Sequence, residues 1–115
     1  MPSSEREHTG LSLSEADALF RVGEFAELVR RATSRSQFRV SMEPEMCIRI
    51  AHALVLIGDW TQARGFIPTA IDHMSPALRS RVSLVHGLVA HAVGALSIAA
   101  QHFRAAIRLA NLKTC

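Results

Sequence analysis

The chain is poor in aromatic residues and in cysteine, and both shortages exclude classes of protein. Aromatic residues make up 5% of its 115 residues and tyrosine is absent, so the stacking platforms that bind single-stranded nucleic acid are largely missing. The two cysteines, Cys47 and Cys115, are too few for a small secreted scaffold held together by disulfides. The polar segment 2–8 does not resemble a signal peptide. We therefore expect a cytoplasmic protein.

Sequence patterns of catalytic and metal sites are also lacking. The chain has no GxSxG motif, no glycine-rich phosphate loop, no HExxH and no Cys-x-x-Cys. Cys47 and His52 are five positions apart, which places them about 140° apart around a helix and is a poor geometry for sharing a metal. His86 and His91 have the same unfavourable spacing. We therefore predict no enzyme activity, no cofactor and no metal.

One stretch without formal charge, residues 82–100, is as long as a membrane-spanning helix. It contains two histidines, His86 and His91, and Gly94 falls where a turn is expected. These features favour buried helices of a soluble core over a membrane span.

Charge is distributed unevenly along the chain. Residues 1–45 hold eight acids and six arginines, whereas residues 46–115 hold two acids and seven cations. The basic second half is explained either by solvated helix faces or by a surface for an acidic partner. Direct binding of nucleic acid through this half is a further, disfavoured hypothesis, which predicts an affinity that falls steeply with added salt.

Helical periodicity, by contrast, runs through almost the whole chain. Apolar residues recur at helical spacing after residue 12, and no segment alternates like a strand. A capping-box pattern at Ser12 and Glu15 marks the start of the first helix, and residues 1–11 are predicted to be a flexible tail. Six helices are predicted, near 13–21, 24–34, 44–57, 59–73, 76–92 and 95–112.

Three segments resemble one another around Gly23, Gly58 and Gly94, which are separated by 35 and 36 residues. A glycine at such a position can end one helix in a left-handed conformation shortly before the next helix begins. Small residues recur at matching positions in the second and third segments, at Ala51, Ala63 and Ala70 and again at Gly87, Ala99 and Ala106. Pro44 opens the first helix of the second segment, and Phe103 is expected to fill the gap between two units. In the first segment Leu28 and Arg35 replace two of the expected alanines.

This period and motif resemble the tetratricopeptide repeat, a helix-turn-helix unit of about 34 residues. The resemblance places repeats at 12–40, 44–75 and 80–112 within one domain, 12–115, and a related degenerate helical repeat is the alternative. It implies an all-α, right-handed solenoid of about three repeats that binds a protein or peptide partner in a concave groove.

In this family the first helix of each repeat lines the groove. The positions carried over are Asp17, Phe20, Arg21, Glu45, Ile48, Arg49, His52, Arg81, Leu84, Leu88 and His91. Arg21, Arg49 and Arg81 are candidate clamps for a carboxylate, although ordinary surface arginines explain them as well. Trp60 takes the aromatic position of the turn, where structural packing is the expected role.

The last predicted helix carries an apolar face formed by Phe103, Ala106, Ile107 and Ala110. Solenoids normally close with a capping helix whose outer face is polar. We therefore expect this face either to form a homodimer or to continue into further repeats of a larger protein.

Two functional hypotheses follow. The first is a non-enzymatic module that binds a peptide or protein partner in its groove. The alternative is a regulatory or sensory segment of a larger bacterial transcription regulator or signalling protein, where similar repeats stand beside ATPase or DNA-binding domains.

Overall fold

Within residues 11–33 and 43–112, which the computed structural model describes, the chain folds into six α-helices and no strand. The all-helical prediction is therefore confirmed. Predictions about residues 1–10 of the tail, about Arg35 and about Cys115 lie outside these ranges. Leu11, the last residue of the predicted tail, is 3% exposed and belongs to the hydrophobic core. The helices are α1 (Leu13–Arg21), α2 (Phe25–Ala32), α3 (Pro44–Leu56), α4 (Trp60–Arg64), α5 (Pro76–Ala92) and α6 (Leu96–Leu112).

The first helix begins at the predicted capping box. The Ser12 hydroxyl accepts from the backbone N–H of Glu15 at 3.1 Å, and the Glu15 carboxylate accepts from the backbone N–H of Ser12 at 3.0 Å. The two side chains thus satisfy two backbone donors that the first turn leaves free. Ser75 caps α5 in a similar way, because its hydroxyl accepts from the N–H of Leu78.

Three turns of one type connect the helices in pairs: α1 with α2, α3 with α4, and α5 with α6. Gly23, Gly58 and Gly94 adopt φ angles of 84°, 93° and 83°, a region that L-residues with a side chain rarely occupy. At each turn the glycine N–H donates to the carbonyl three residues back, and the following N–H donates to the carbonyl five residues back. This is the Schellman motif, and it repeats in the phase that the sequence predicted.

The helix predicted over 59–73 is wrong in length, because α4 ends at Arg64. Pro68 explains the early end: it has no N–H to donate, and its ring disfavours a helical conformation of the residue before it. The residues after α4 nevertheless stay in the core, since Phe66 and Ile67 are only 3% and 8% exposed.

The core is built around α3, which packs against α1, α2, α4 and α5. Ile48, Ile50 and Leu54 on this helix are almost completely buried. Because neighbours cover α3 on several sides, it is apolar around most of its circumference. In the first pair, fully buried Leu28 takes up space where the repeat pattern has an alanine, and Ala16 is fully buried as well.

The last two helices pack closely along their length. A Cβ atom built on Gly87 would lie 2.4 Å from Cε1 of Phe103, so the absence of a side chain on α5 makes room for the Phe103 ring. The hydroxyl of Ser80 donates to the carbonyl of Ala106 at 2.7 Å. A glycine and a small polar residue therefore let α5 and α6 approach each other.

The uncharged stretch 82–100 is not one helix, because the turn at Gly94 divides it between α5 and α6. In the described part of the chain, no helix combines the length and the apolar character needed to cross a membrane.

Candidate functional site

An open concavity of about 470 Å³ lies between α1, α3 and α5, the first helices of the three pairs. Each helix presents positions spaced three or four residues apart, which share one face of a helix. The concavity is lined by Asp17, Phe20 and Arg21 of α1, Ile48, Arg49 and His52 of α3, and Arg81 and Leu84 of α5.

The structure brings together most of the residues predicted to line a groove, but not all of them. Glu45 lines a different concavity, which it shares with His73 and Met74. Leu88 is half-buried and His91 is exposed, and neither residue lines the concavity. Both follow Leu84 along α5 at a rise of about 1.5 Å per residue, which carries them toward the other end of the helix.

Arg49 and Asp17 form an ion pair inside the concavity. The Nε–H of Arg49 donates to the carboxylate of Asp17, and the Arg49 side chain is 9% exposed while that of Asp17 is 34% exposed. The hydrogen bond from Arg49, followed by the charges of Arg49 and Arg21, lowers the pKa of Asp17 although partial burial opposes this. Asp17 therefore stays ionised at neutral pH and compensates the buried guanidinium.

The ion pair leaves part of the Arg49 guanidinium unsatisfied. Its Nη1 atom is buried and has no hydrogen-bond partner among the described residues. A buried donor without an acceptor costs about 1–3 kcal/mol, and more where the group is charged. Arg49 thus offers hydrogen-bonding capacity that these parts of the protein leave unused.

An aromatic wall stands beside the ion pair. The Phe20 ring lies 4.7 Å from the His52 imidazole, measured between centroids, and 5.0 Å from the Phe25 ring in an edge-to-face arrangement. Burial, and secondarily the charge of Arg49, lowers the pKa of His52. The imidazole is consequently neutral at neutral pH, so it adds an aromatic face and one acceptor nitrogen but no charge.

Two further arginines, Arg21 and Arg81, are exposed at the rim of the concavity. Half-buried Leu84 supplies aliphatic surface between the two sides, and Ile48 lies beneath with 2% exposure. The eight lining residues therefore combine three guanidinium groups with one carboxylate, together with an aromatic and aliphatic surface. This combination suits a ligand that carries an anionic group next to an apolar one.

No protein-family model, curated protein or solved structure gives a significant match to this chain. The chemistry of the concavity is accordingly inferred from its own geometry.

Metal-ligating side chains do not converge in the part of the chain that the structure describes, where no group of three His, Cys, Asp or Glu residues could hold an ion. The rings of His86 and His102 stack at 5.1 Å between centroids. They line a separate concavity together with Arg64 of α4 and aliphatic residues of α5 and α6.

The four residues predicted to mediate self-association have different surroundings. Ala106 is buried and Phe103 lies against Gly87, so both contact their own chain. Ala110 is half-buried, whereas Ile107 is 63% exposed. Leu96, at the start of the same helix, is 62% exposed.

The sequence did not predict which side chains pair between helices. In the concavity between α1, α3 and α5, Asp17 and Arg49 are separated by 32 positions, and in the separate concavity His86 and His102 are separated by 16, so no local pattern joins either pair. The signal that could have found the first pair is the repeat phase itself, because opposite charges stand on the groove-facing side of two successive first helices.

Proposed function

We propose that the chain is a non-catalytic interaction module that binds a peptide or protein partner in the concavity between α1, α3 and α5. One observation carries the proposal: of the eleven positions that the resemblance and the repeat phase assign to a groove, eight line the same open concavity. They are Asp17, Phe20, Arg21, Ile48, Arg49, His52, Arg81 and Leu84.

In this proposal the helix pairs form a short right-handed solenoid of the tetratricopeptide type. The three Schellman turns, one at each pair, support it, as does the contact of α3 with both α1 and α5. The second pair departs from the pattern, because α4 has five residues and Ala70, expected to close that repeat, is exposed. The repeats of such a module are therefore unequal.

The side chains of the concavity support binding rather than catalysis. None of its eight lining residues is a serine, threonine, cysteine or lysine that could act as a nucleophile. Its carboxylate, Asp17, is bound to Arg49, and its imidazole, His52, lies against Phe20. The small number of cysteines in the chain supports a cytoplasmic setting for this role.

A peptide selection with two matched variants tests the proposal. Short random peptides are selected on the wild-type chain, and the affinities of the enriched peptides are then measured for Leu84→Gln and Leu88→Gln. Both leucines are half-buried on α5, one turn apart, but only Leu84 lines the concavity. We expect Leu84→Gln to weaken binding by about tenfold and Leu88→Gln by no more than about twofold.

Both variants are first compared with the wild type by circular dichroism, so that a loss of fold is separated from a loss of contact. Enriched peptides that lose equal affinity to both folded variants would show that partners bind outside the concavity. Failure to enrich any peptide would also count against a peptide-binding groove.

A further inference from the structure

We infer that the concavity recognises a carboxylate adjacent to an apolar side chain, and that Asp17 competes with that carboxylate for Arg49. This inference rests on the proposed function and specifies the chemistry of the partner. Asp17 is in this view an internal competitor that lowers the affinity of the site for anionic segments.

The charge of the lining residues supports an anionic ligand. Arg21, Arg49 and Arg81 face the concavity, and Asp17 is the one acid among the eight lining residues. After Asp17 has paired with Arg49, the exposed guanidiniums at the rim remain to attract an anion. Guanidinium groups bind carboxylates through charge-assisted and often bidentate hydrogen bonds.

The state of Arg49 gives an independent reason to expect an acceptor from outside. Its side chain is more than nine-tenths buried, Nε is bound to Asp17, and Nη1 has no partner among the residues described. A ligand carboxylate that meets a rotated guanidinium would satisfy this donor while Asp17 is released. Asp17 is 34% exposed, so water can solvate its carboxylate once it leaves Arg49.

The apolar half of the site defines what should flank the carboxylate. Phe20 and His52 form an aromatic wall, and Leu84 continues it with aliphatic surface. An aromatic or aliphatic side chain next to the acidic residue would bury its surface here, whereas an acidic residue alone would not use this part of the concavity.

Two blocked dipeptides separate the role of charge from that of apolar contact. Acetyl-Phe-Glu-amide and acetyl-Phe-Gln-amide differ only in the end of the second side chain, which is a carboxylate in the first and a carboxamide in the second. Each is titrated into isotope-labelled protein while the backbone signals of the lining residues and the Nε–H signal of Arg49 are followed by NMR. We expect the Glu dipeptide to bind about tenfold more tightly than the Gln dipeptide and to shift the Arg49 signal.

Asp17→Asn tests the competition directly, with Glu45→Gln as the control. Both substitutions remove one negative charge, but Glu45 lies outside the concavity. We expect Asp17→Asn to tighten binding of the Glu dipeptide by about three- to tenfold and to leave the Gln dipeptide unchanged. Glu45→Gln should change neither affinity by more than about twofold.

A second pair of variants covers the case in which Asp17→Asn does not fold. Arg21→Gln and Arg104→Gln each remove an exposed positive charge, and only Arg21 lines the concavity. We expect Arg21→Gln to weaken binding of the Glu dipeptide several-fold and Arg104→Gln to leave that binding unchanged.

Equal affinities for the two dipeptides would overturn the inference while leaving the proposed groove intact, since a groove that is indifferent to charge still binds peptides. Weaker binding of the Glu dipeptide to a folded Asp17→Asn variant would overturn the competitive role of Asp17. If neither dipeptide shifts the lining signals at about 20 mM, the inference fails, and the Leu84 and Leu88 comparison decides the proposed function separately.

Discussion

Gly87 shows most clearly how a single residue sets the geometry of this fold. A Cβ atom at this position would lie 2.4 Å from Cε1 and 2.6 Å from Cδ1 of Phe103, closer than carbon atoms can pack. The Phe103 ring therefore occupies the volume that the Cβ atom of any other amino acid at position 87 would fill.

We expect Gly87→Ala to lower the free energy of unfolding by about 1–3 kcal/mol, because overpacking outweighs the better helix propensity of alanine. Urea denaturation followed by circular dichroism measures the change. Gly65→Ala is the matched control: Gly65 has a φ of −69°, and an added Cβ would meet only the Gln62 carbonyl at an ordinary 3.5 Å. An unchanged or raised stability in Gly87→Ala would contradict the packing described here.

At the level of elements, the three Schellman turns define the helix pairs. Gly58 has a φ of 93°, and an added Cβ would meet nothing within 4 Å, so the cost of a side chain there is purely conformational. We expect Gly58→Ala to lower the free energy of unfolding by about 1–2 kcal/mol and Gly58→Asn to lower it by less, since asparagine tolerates the left-handed region. The same denaturation experiment checks both variants. Equal losses of stability in Gly58→Ala and Gly58→Asn would argue against a left-handed conformation at this turn.

The boundaries of the elements were largely predictable from sequence, and the exception has a clear cause. The starts of α1, α3 and α5 follow from Ser12, Pro44 and Ser75, which cap a helix or favour its first turn. The end of α4 was missed because the repeat pattern was extended past Pro68. Local backbone chemistry takes precedence over repeat periodicity at that point.

Repeat phase also predicted which face of each first helix lines the concavity, but it could not set the limits of the concavity along the helices. Leu88 and His91 have the correct phase and still lie beyond it, because its length depends on how α1, α3 and α5 are placed in space. The Asp17–Arg49 pair depends on the same placement. Long-range pairing therefore had to come from the structure.

At the level of the whole molecule, two half-buried histidines make stability depend on pH. Burial lowers the pKa of His52 and of His86 in the folded chain, and the neighbouring His102 lowers that of His86 further. In the unfolded chain both histidines have a pKa of about 6.5. Their contribution to stability is therefore complete above about pH 6.5 and is lost as the pH falls through the lower folded values.

We expect the free energy of unfolding to decrease between about pH 7 and about pH 5, and His52→Gln to make this decrease smaller. His91→Gln, which changes an exposed histidine in the same way, serves as the control and should follow the wild-type profile. Asp17 acts in a separate window, because its lowered pKa places the loss of its contribution at or below about pH 4. If the free energy of unfolding of the wild type did not change between about pH 7 and about pH 5, the histidines would not be the source of a pH-dependent stability.

The proposed function requires that partners bind in the concavity between α1, α3 and α5. NMR of the isotope-labelled chain is the most direct test of this requirement, because it maps where a peptide enriched in the selection contacts the protein. We expect the largest chemical-shift changes at Phe20 and Leu84, with smaller changes at the rim arginines and none at Ile107 or Leu112 on α6. These positions test the concavity against exposed apolar residues of the same chain that do not line it. Changes concentrated on α6, with the lining residues unaffected, would show that the concavity is not the binding site.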